Sequence, residues 1–263
     1  MRILVIDDMV TLHSGVARAV ESDGHEVTGV IKPGDLENLL IADPDYQLAF
    51  VDIDYAHITV ESGLVALETL EKHGIPSVLY CADAEVNRLL YILAAFEFFP
   101  RTCTLLSKHA GDTEVHRVVT SMARGDRPHD RAAERYRPPG GGTSFLHQLI
   151  ERSTDLALWR ALATHSTRAL IAKSAHVSES KVDQFTADRH QIILRLHCEV
   201  LDLPIPSLTA RNSNLVEVCR FARTHDKFFE DKDVERLVRT SWDPAPRQSA
   251  SKRAGGVFRR KRS

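Results

Sequence analysis

A doubly wound, five-stranded parallel α/β sheet followed by an all-α domain is the fold class this 263-residue sequence predicts. Three observations carry the expectation. Up to about residue 125, five short apolar runs alternate with stretches of helical periodicity, the pattern of parallel strands joined by crossover helices. Two of these runs end abruptly in carboxylates, at Asp7-Asp8 and at Asp52-Ile53-Asp54, as buried parallel strands do where their C-terminal ends open into a crevice. Beyond a stretch rich in Pro, Gly and Arg, only helical periodicity remains.

The elements follow in order. Met1 to Ile6 reads as the first strand. Val10, Leu12, Val16, Ala19 and Val20 suit a helix that closes near Asp23-Gly24, with Gly as the cap. His25 to Val30 is the second strand, Asp35 to Leu40 a short helix, and Leu48 through Asp52 the central strand. Glu61 to His73 is helical and is stopped by Gly74. Ile75 to Cys81 is the fourth strand, with Pro76 at its start, where it removes no ladder bond. Ala84 to Phe96 forms a helix, Cys103 to Ser107 the fifth strand, and Thr113 to Ala123 the last helix of this half.

With the first and third strands side by side, Asp7, Asp8 and Asp52 share one crevice. Carboxylates so placed raise each other's pKa unless a hard divalent cation neutralises them. Oxygen-only ligands suit Mg²⁺, and Asp52 is then a nucleophile able to accept a phosphoryl group. Cys81 and Lys108 stand at the ends of the fourth and fifth strands, on the same edge of the sheet.

Composition sets the frame. With 43% hydrophobic and 27% charged residues, the chain is of ordinary globular type. No apolar run reaches the length of a membrane span, and Met1-Arg2 leads directly into strand-like sequence, so a cytoplasmic, non-membrane protein is expected. Cys81, Cys103, Cys198 and Cys219 lack metal-ligand spacing and read as reduced packing thiols. Residues 1–125 carry 9 Lys+Arg against 19 Asp+Glu, a net of −10, and the remaining 25 and 17 give +8. An acidic half joined to a basic half suggests separate jobs, the second facing nucleic acid.

Ile6-Asp7-Asp8, Val51-Asp52, Leu79-Tyr80-Cys81-Ala82 and Leu105-Leu106-Ser107-Lys108 make the first 125 residues resemble the receiver domain of bacterial two-component response regulators. The resemblance implies Asp52 as phosphoacceptor, phosphorylated by a partner histidine kinase. It implies Asp7 and Asp8 as the acidic pair that holds Mg²⁺, with Asp52 and the backbone carbonyl of Asp54 completing the protein ligands. Lys108 matches the lysine that pairs with the phosphoryl oxygens. There are departures. Cys81 stands where the family usually has Ser or Thr, and a thiol is a weaker donor. Leu105 replaces the usual switch aromatic, His109 follows Lys108 where many receivers have proline, and Tyr55 to Ser62 lacks the usual Met-Pro pair and runs longer.

Residues 126–142, with Arg127-Pro128, Arg137-Pro138-Pro139 and three glycines, read as a linker. The helical domain, 143–243, contains a helix-turn-helix at about 167–196. Leu170, Ile171 and Ala175 face inward, His176-Val177 turns the chain, and Ser178 caps a second helix whose inner face holds Val182, Phe185 and Arg189 or the nearby Ile192 and Ile193. Ile171-Ala172 followed by Ser178-Glu179 and Val182 resembles the NarL/LuxR type of DNA-binding domain. That resemblance places Asp183, Gln184 and Ala187 toward the DNA groove, where Asp accepts from cytosine and Gln pairs with adenine. Lys173, Ser180, Lys181 and Arg189 complete the expected DNA contacts, the cations on phosphates. Further helices are expected at Asn214 to Thr224 and Lys232 to Thr240, and the tail 244–263 carries seven basic residues and no acidic ones, a disordered arm suited to phosphate. The expectation is a homodimeric, DNA-binding transcription regulator, not an enzyme beyond accepting phosphate on itself. Two alternatives stay open: a receiver that works without phosphorylation, and a helical half that docks a protein.

Overall fold

The computed structural model describes residues 1–53, 55, 61–82, 88–126, 128, 131–140, 142–202 and 214–243. The first half is β1 (Arg2–Ile6), α1 (Val10–Val20), β2 (Glu26–Val30), α2 (Leu36–Ala42), β3 (Leu48–Val51), α3 (Gly63–His73), β4 (Ser77–Cys81), α4 (Leu89–Phe98), β5 (Thr102–Ser107) and α5 (Asp112–Ala123). Every strand pairing is parallel and the order is β2-β1-β3-β4-β5. The alternation expected of buried strands is visible in β1. Ile3 and Val5 face α1 and α5, whereas Leu4 and Ile6 face the layer of α2, α3 and α4. The strand order reverses between β1 and β3, where a doubly wound sheet opens a crevice at its carboxyl edge.

Most of the expected elements fall within two residues of their predicted bounds. The start expected at Ala84 lies outside the described residues, and α4 runs to Phe98. The helix expected from Glu61 begins at Gly63, because Ser62 is extended. Gly63 is dictated by proximity: a Cβ there would lie 2.0 Å from the Asp52 carbonyl oxygen. The turn from β3 into α3 therefore closes directly over the end of the central strand.

The stretch 126–142 holds α6 (Arg131–Glu134), and the second half comprises α7 (Phe145–Leu149), α8 (Ser153–Thr164), α9 (Arg168–Ser174), α10 (Glu179–Glu199), α11 (Asn214–Thr224), α12 (Asp226–Glu230) and α13 (Lys232–Trp242). Its core is built on Trp159, which stacks on Phe229 at 4.8 Å and meets Phe185 and Phe221 edge-on or tilted. The indole N–H donates to the Leu149 carbonyl at 3.0 Å, so the buried ring leaves no polar atom unpaired. The short α12 was not expected; it follows α11 after a single residue, His225, so its period merges with its neighbour's.

The stretch expected as a linker, stiffer at its prolines and loose at its glycines, is fastened to the first half near its prolines. Tyr136 is buried and stacks on Phe96, and the Arg137 guanidinium donates to the carbonyls of Thr102 and Cys103 on β5. Strand β5 is an edge of the sheet, and its unpaired carbonyls need donors. The basic tail, 244–263, lies outside the described residues.

One apolar cluster runs through both halves. Helix α4 explains how: Leu89, Leu90, Ile92, Leu93, Ala94, Ala95 and Phe96 are all buried, and a helix apolar all round must be covered on all sides. Its outer side meets the helical half. Tyr91 packs edge-on against Phe228 and donates to the Asp231 carboxylate at 3.1 Å, and Phe98 meets Trp242. Arg236 pairs with Glu68 of α3 at 2.9 Å. No described helix is long and apolar enough to cross a membrane.

Acid sensitivity follows from one buried ring. His225 is buried with its Nδ1 unpaired, and burial, aided by His197, lowers its pKa to about 4. The unfolded chain takes up that proton near pH 6.5. Between the two values the unfolded state binds more protons, so stability falls as pH drops through the window, by on the order of 3 kcal/mol in full. Urea unfolding of His225→Phe should therefore depend less on pH between about 7 and about 4 than that of the parent. Equal dependence in the two proteins would contradict this account.

Candidate functional site

The carboxyl ends of β1 and β3 are in register, Ile6 opposite Val51, and Asp52 N–H donates to the Ile6 carbonyl at 2.9 Å. This pairing sets Asp7 and Asp52 next to each other, both buried, with Asp8 half-buried at the mouth. One oxygen from each of Asp7, Asp8 and Asp52 lies within 4.8 Å of the others. Backbone amides fix the two buried carboxylates: Met9 N–H donates to Asp7 and Ile53 N–H to Asp52, each at 2.8 Å.

Lys108 arrives from β5. Its amide donates to the Cys81 carbonyl at 2.8 Å, which ties the loop after β5 to the end of β4. Its Nζ lies 2.7 Å from Asp7 Oδ2 and 2.7 Å from Asp52 Oδ2. Burial alone would discharge the ammonium, but Asp52 and Asp7 outweigh it and raise its pKa. For Asp7, burial wins over the contact with Lys108 and the pKa is raised. The pocket thus holds more negative charge than its one lysine balances, and its donor set is all oxygen, which fits a hard divalent cation. Asp54 lies outside the described residues.

Two contributors were missed in the sequence. Tyr55 is buried under the pocket and donates to the Ile6 carbonyl at 2.6 Å, bracing the end of β1 from the loop after β3. Burial, then the charges of Asp52, Asp7 and Asp8, raises its phenol well above the usual range. His13 on α1 approaches the Asp7 carbonyl with Nε2 at 2.8 Å. It fits because β2 has Gly29 beneath it; a Cβ there would lie 2.1 Å from His13 Nδ1. A glycine inside a strand is the signal that could have found this pair.

In the helical half, a short turn joins α9 to α10. His176 makes the turn at φ +55°, and Ser178 Oγ accepts the Lys181 N–H at 3.2 Å. Ile171, Ala172, Val182 and Phe185 are buried, whereas Lys173, Ser180, Lys181, Asp183, Gln184 and Ala187 are exposed. Two expectations are corrected. Leu170 does not face inward but is 49% exposed. Arg189 is buried beneath α8, paired with Glu151 at 2.9 Å and Asp155 at 3.3 Å, and lies over the Phe185 ring; it is not free to meet a phosphate. Conversely Arg168, not singled out before, pairs with Asp183 at 2.7 Å.

No protein-family model matches the sequence, and no curated protein matches it. Solved structures do resemble it. A signal receiver domain of a putative Luxo repressor protein from Vibrio parahaemolyticus aligns at 15% identity and TM-score 0.39 over 47% of this chain and 90% of its own. A response regulator receiver protein from Burkholderia phymatum aligns at 18% and 0.40 over 49% and 98%. A structure of two RcsB dimers bound to two parallel DNAs aligns at 11% and 0.48 over 84% and 98%. These are likenesses only; the fold assignment rests on the strand order and register above.

The thiol beside the pocket should be inert. Cys81 is buried, and burial followed by the charge of Asp52 pushes its pKa up to about 12, far from the thiolate form that alkylating agents attack. Iodoacetamide on the native protein at about pH 8 should modify the half-buried Cys198 well before Cys81, as read by peptide mass mapping. Labelling of Cys81 as fast as Cys198 would show that the end of β4 is open.

Proposed function

We propose that this chain is a cytoplasmic response regulator that takes a phosphoryl group on Asp52 from a histidine kinase and controls transcription through its helical half, bound to DNA as a dimer. The observation that carries the reading is the placement of Lys108 Nζ at 2.7 Å from both Asp7 and Asp52, at the carboxyl edge of the sheet and with Asp8 at the mouth. A structural ion pair would need one carboxylate for one ammonium; three lie here within 4.8 Å of one another, the half-exposed Asp8 among them, two more than Lys108 balances.

Asp7, Asp8 and Asp52 would hold Mg²⁺, which neutralises phosphoryl oxygens when bound. The chain's own residues supply the rest. An Asp52 carboxylate oxygen attacks phosphorus, the bond to the donor's leaving group breaks, and an acyl phosphate forms. Lys108 lies where it can turn from the Asp52 carboxylate to a phosphoryl oxygen and balance its charge. Ile53 N–H keeps the attacking group oriented. Cys81, with a weak S–H donor, offers the phosphoryl group less than a hydroxyl would, so coupling to the rest of the chain is expected to run mainly through Lys108.

Incubation with a small phosphodonor and Mg²⁺ should add one phosphoryl group, and peptide mapping should place it on Asp52. Asp52→Asn should abolish the adduct, and omission of Mg²⁺ should slow its formation strongly. A folded protein that stays unmodified would support the receiver that works without phosphorylation.

A further inference from the structure

The outer face of the helix-turn-helix poses a problem in charge. Its exposed charged residues are Arg168, Lys173 and Lys181 against Glu179, Asp183 and Asp188, so the face is neutral. General attraction to phosphate supplies most non-specific DNA affinity, and a neutral face offers little of it. If this face meets DNA, contacts to base edges must supply the discrimination.

The pair formed by Arg168 and Asp183 bears on that directly. Arg168 Nε lies 2.7 Å from Asp183 Oδ1, and both side chains are 51% exposed. An ion pair this exposed adds little to stability, but it fixes a direction. A guanidinium presents its N–H groups in a planar fork with two usable edges. Asp183 occupies the Nε side, and among the described residues Arg168 has no other charged partner. Among the described residues the two Nη groups have no ion-pair partner, and Gln184, next to Asp183 in sequence, is also exposed. Two parallel N–H groups held in a plane match the O6 and N7 acceptors that guanine shows in the major groove.

We propose that Arg168 and Asp183 form a guanine-reading unit, in which Asp183 orients the guanidinium and Arg168 donates two hydrogen bonds to one guanine. The inference rests on the DNA-binding reading above and makes it specific. It also changes the role of Asp183: instead of accepting from a cytosine amino group itself, the carboxylate holds the arginine that reads the base. Lys173 and Lys181, exposed and without ion-pair partners among the described residues, are left for the phosphates on either side.

The test uses the full-length protein, with and without phosphodonor treatment, selected on randomised duplex DNA at low salt. The preferred site should contain a guanine whose replacement by 7-deazaguanine, which lacks N7, weakens binding roughly tenfold or more. Arg168→Ala should lose the preference at that base pair while preferences elsewhere in the site persist. Arg168→Lys, which keeps the charge and loses the fork, should lose it too; Asp183→Asn should weaken it without changing the preferred base. Lys173→Ala should instead weaken all sequences alike. If Arg168→Lys binds duplex and keeps its sensitivity to 7-deazaguanine, the guanine-reading unit is overturned and the DNA-binding reading stands. If the parent protein binds no duplex in either state, both fall.

Discussion

Two buried carboxylates and one ammonium at the carboxyl edge of the sheet set the terms for the structure around them. Burial raises the pKa of Asp7 against the pull of Lys108, and removing one partner from a buried ion pair typically costs about 3–5 kcal/mol. The surrounding chain is shaped to keep the arrangement. The register of β1 against β3 aligns the two carboxylates, Gly63 lets the following turn close over Asp52, and Tyr55 braces the carbonyl of Ile6. His13, admitted by Gly29, secures the carbonyl of Asp7 from the other side. Lys108 is delivered by the bond of its own amide to the Cys81 carbonyl. All five strands thus contribute to one charge arrangement, and that arrangement sets three carboxylates against one described lysine.

The apolar side of the architecture is equally connected. Helix α4 lies between the sheet and the helical half and is buried by both. Tyr91, Phe98 and Glu68 reach across to Phe228, Asp231, Trp242 and Arg236. The end of β4 therefore has a packed path through α4 to the second half. The outer side of α9 and α10 stands clear of this contact: Lys173, Ser180, Lys181 and Gln184 remain exposed with the two halves docked.

What was legible in the sequence was what local pattern determines. The strand ends were visible as apolar runs breaking into Asp, and the Ser178 cap as a serine ahead of a new helical period. Leu170 was misread because it and Ile171 are both apolar neighbours about 100° apart on a helix, and only one can lead into the core. Arg189 falls at the helical spacing of Val182 and Phe185, so its stripe pointed inward. Its partners, Glu151 and Asp155, are 38 and 34 residues away in sequence and no local pattern reveals them. The docking of Tyr136 and Arg137 was hidden for a similar reason: proline and glycine around them dominate the composition, while the need they meet belongs to the edge of β5.

Among the described residues the pocket sets three carboxylates against one lysine, and a divalent cation would neutralise the excess of two. Calorimetric titration of Mg²⁺ into the full chain tests this without relying on any phosphodonor or DNA. The account predicts one bound ion per chain, weakened strongly by Asp8→Asn, a change at the half-exposed mouth that leaves the buried pair intact. It also predicts tighter binding in Lys108→Ala, provided that variant folds, because a competing positive charge is removed. Saturation that is indifferent to Asp8→Asn, or no binding in a folded protein, would contradict it.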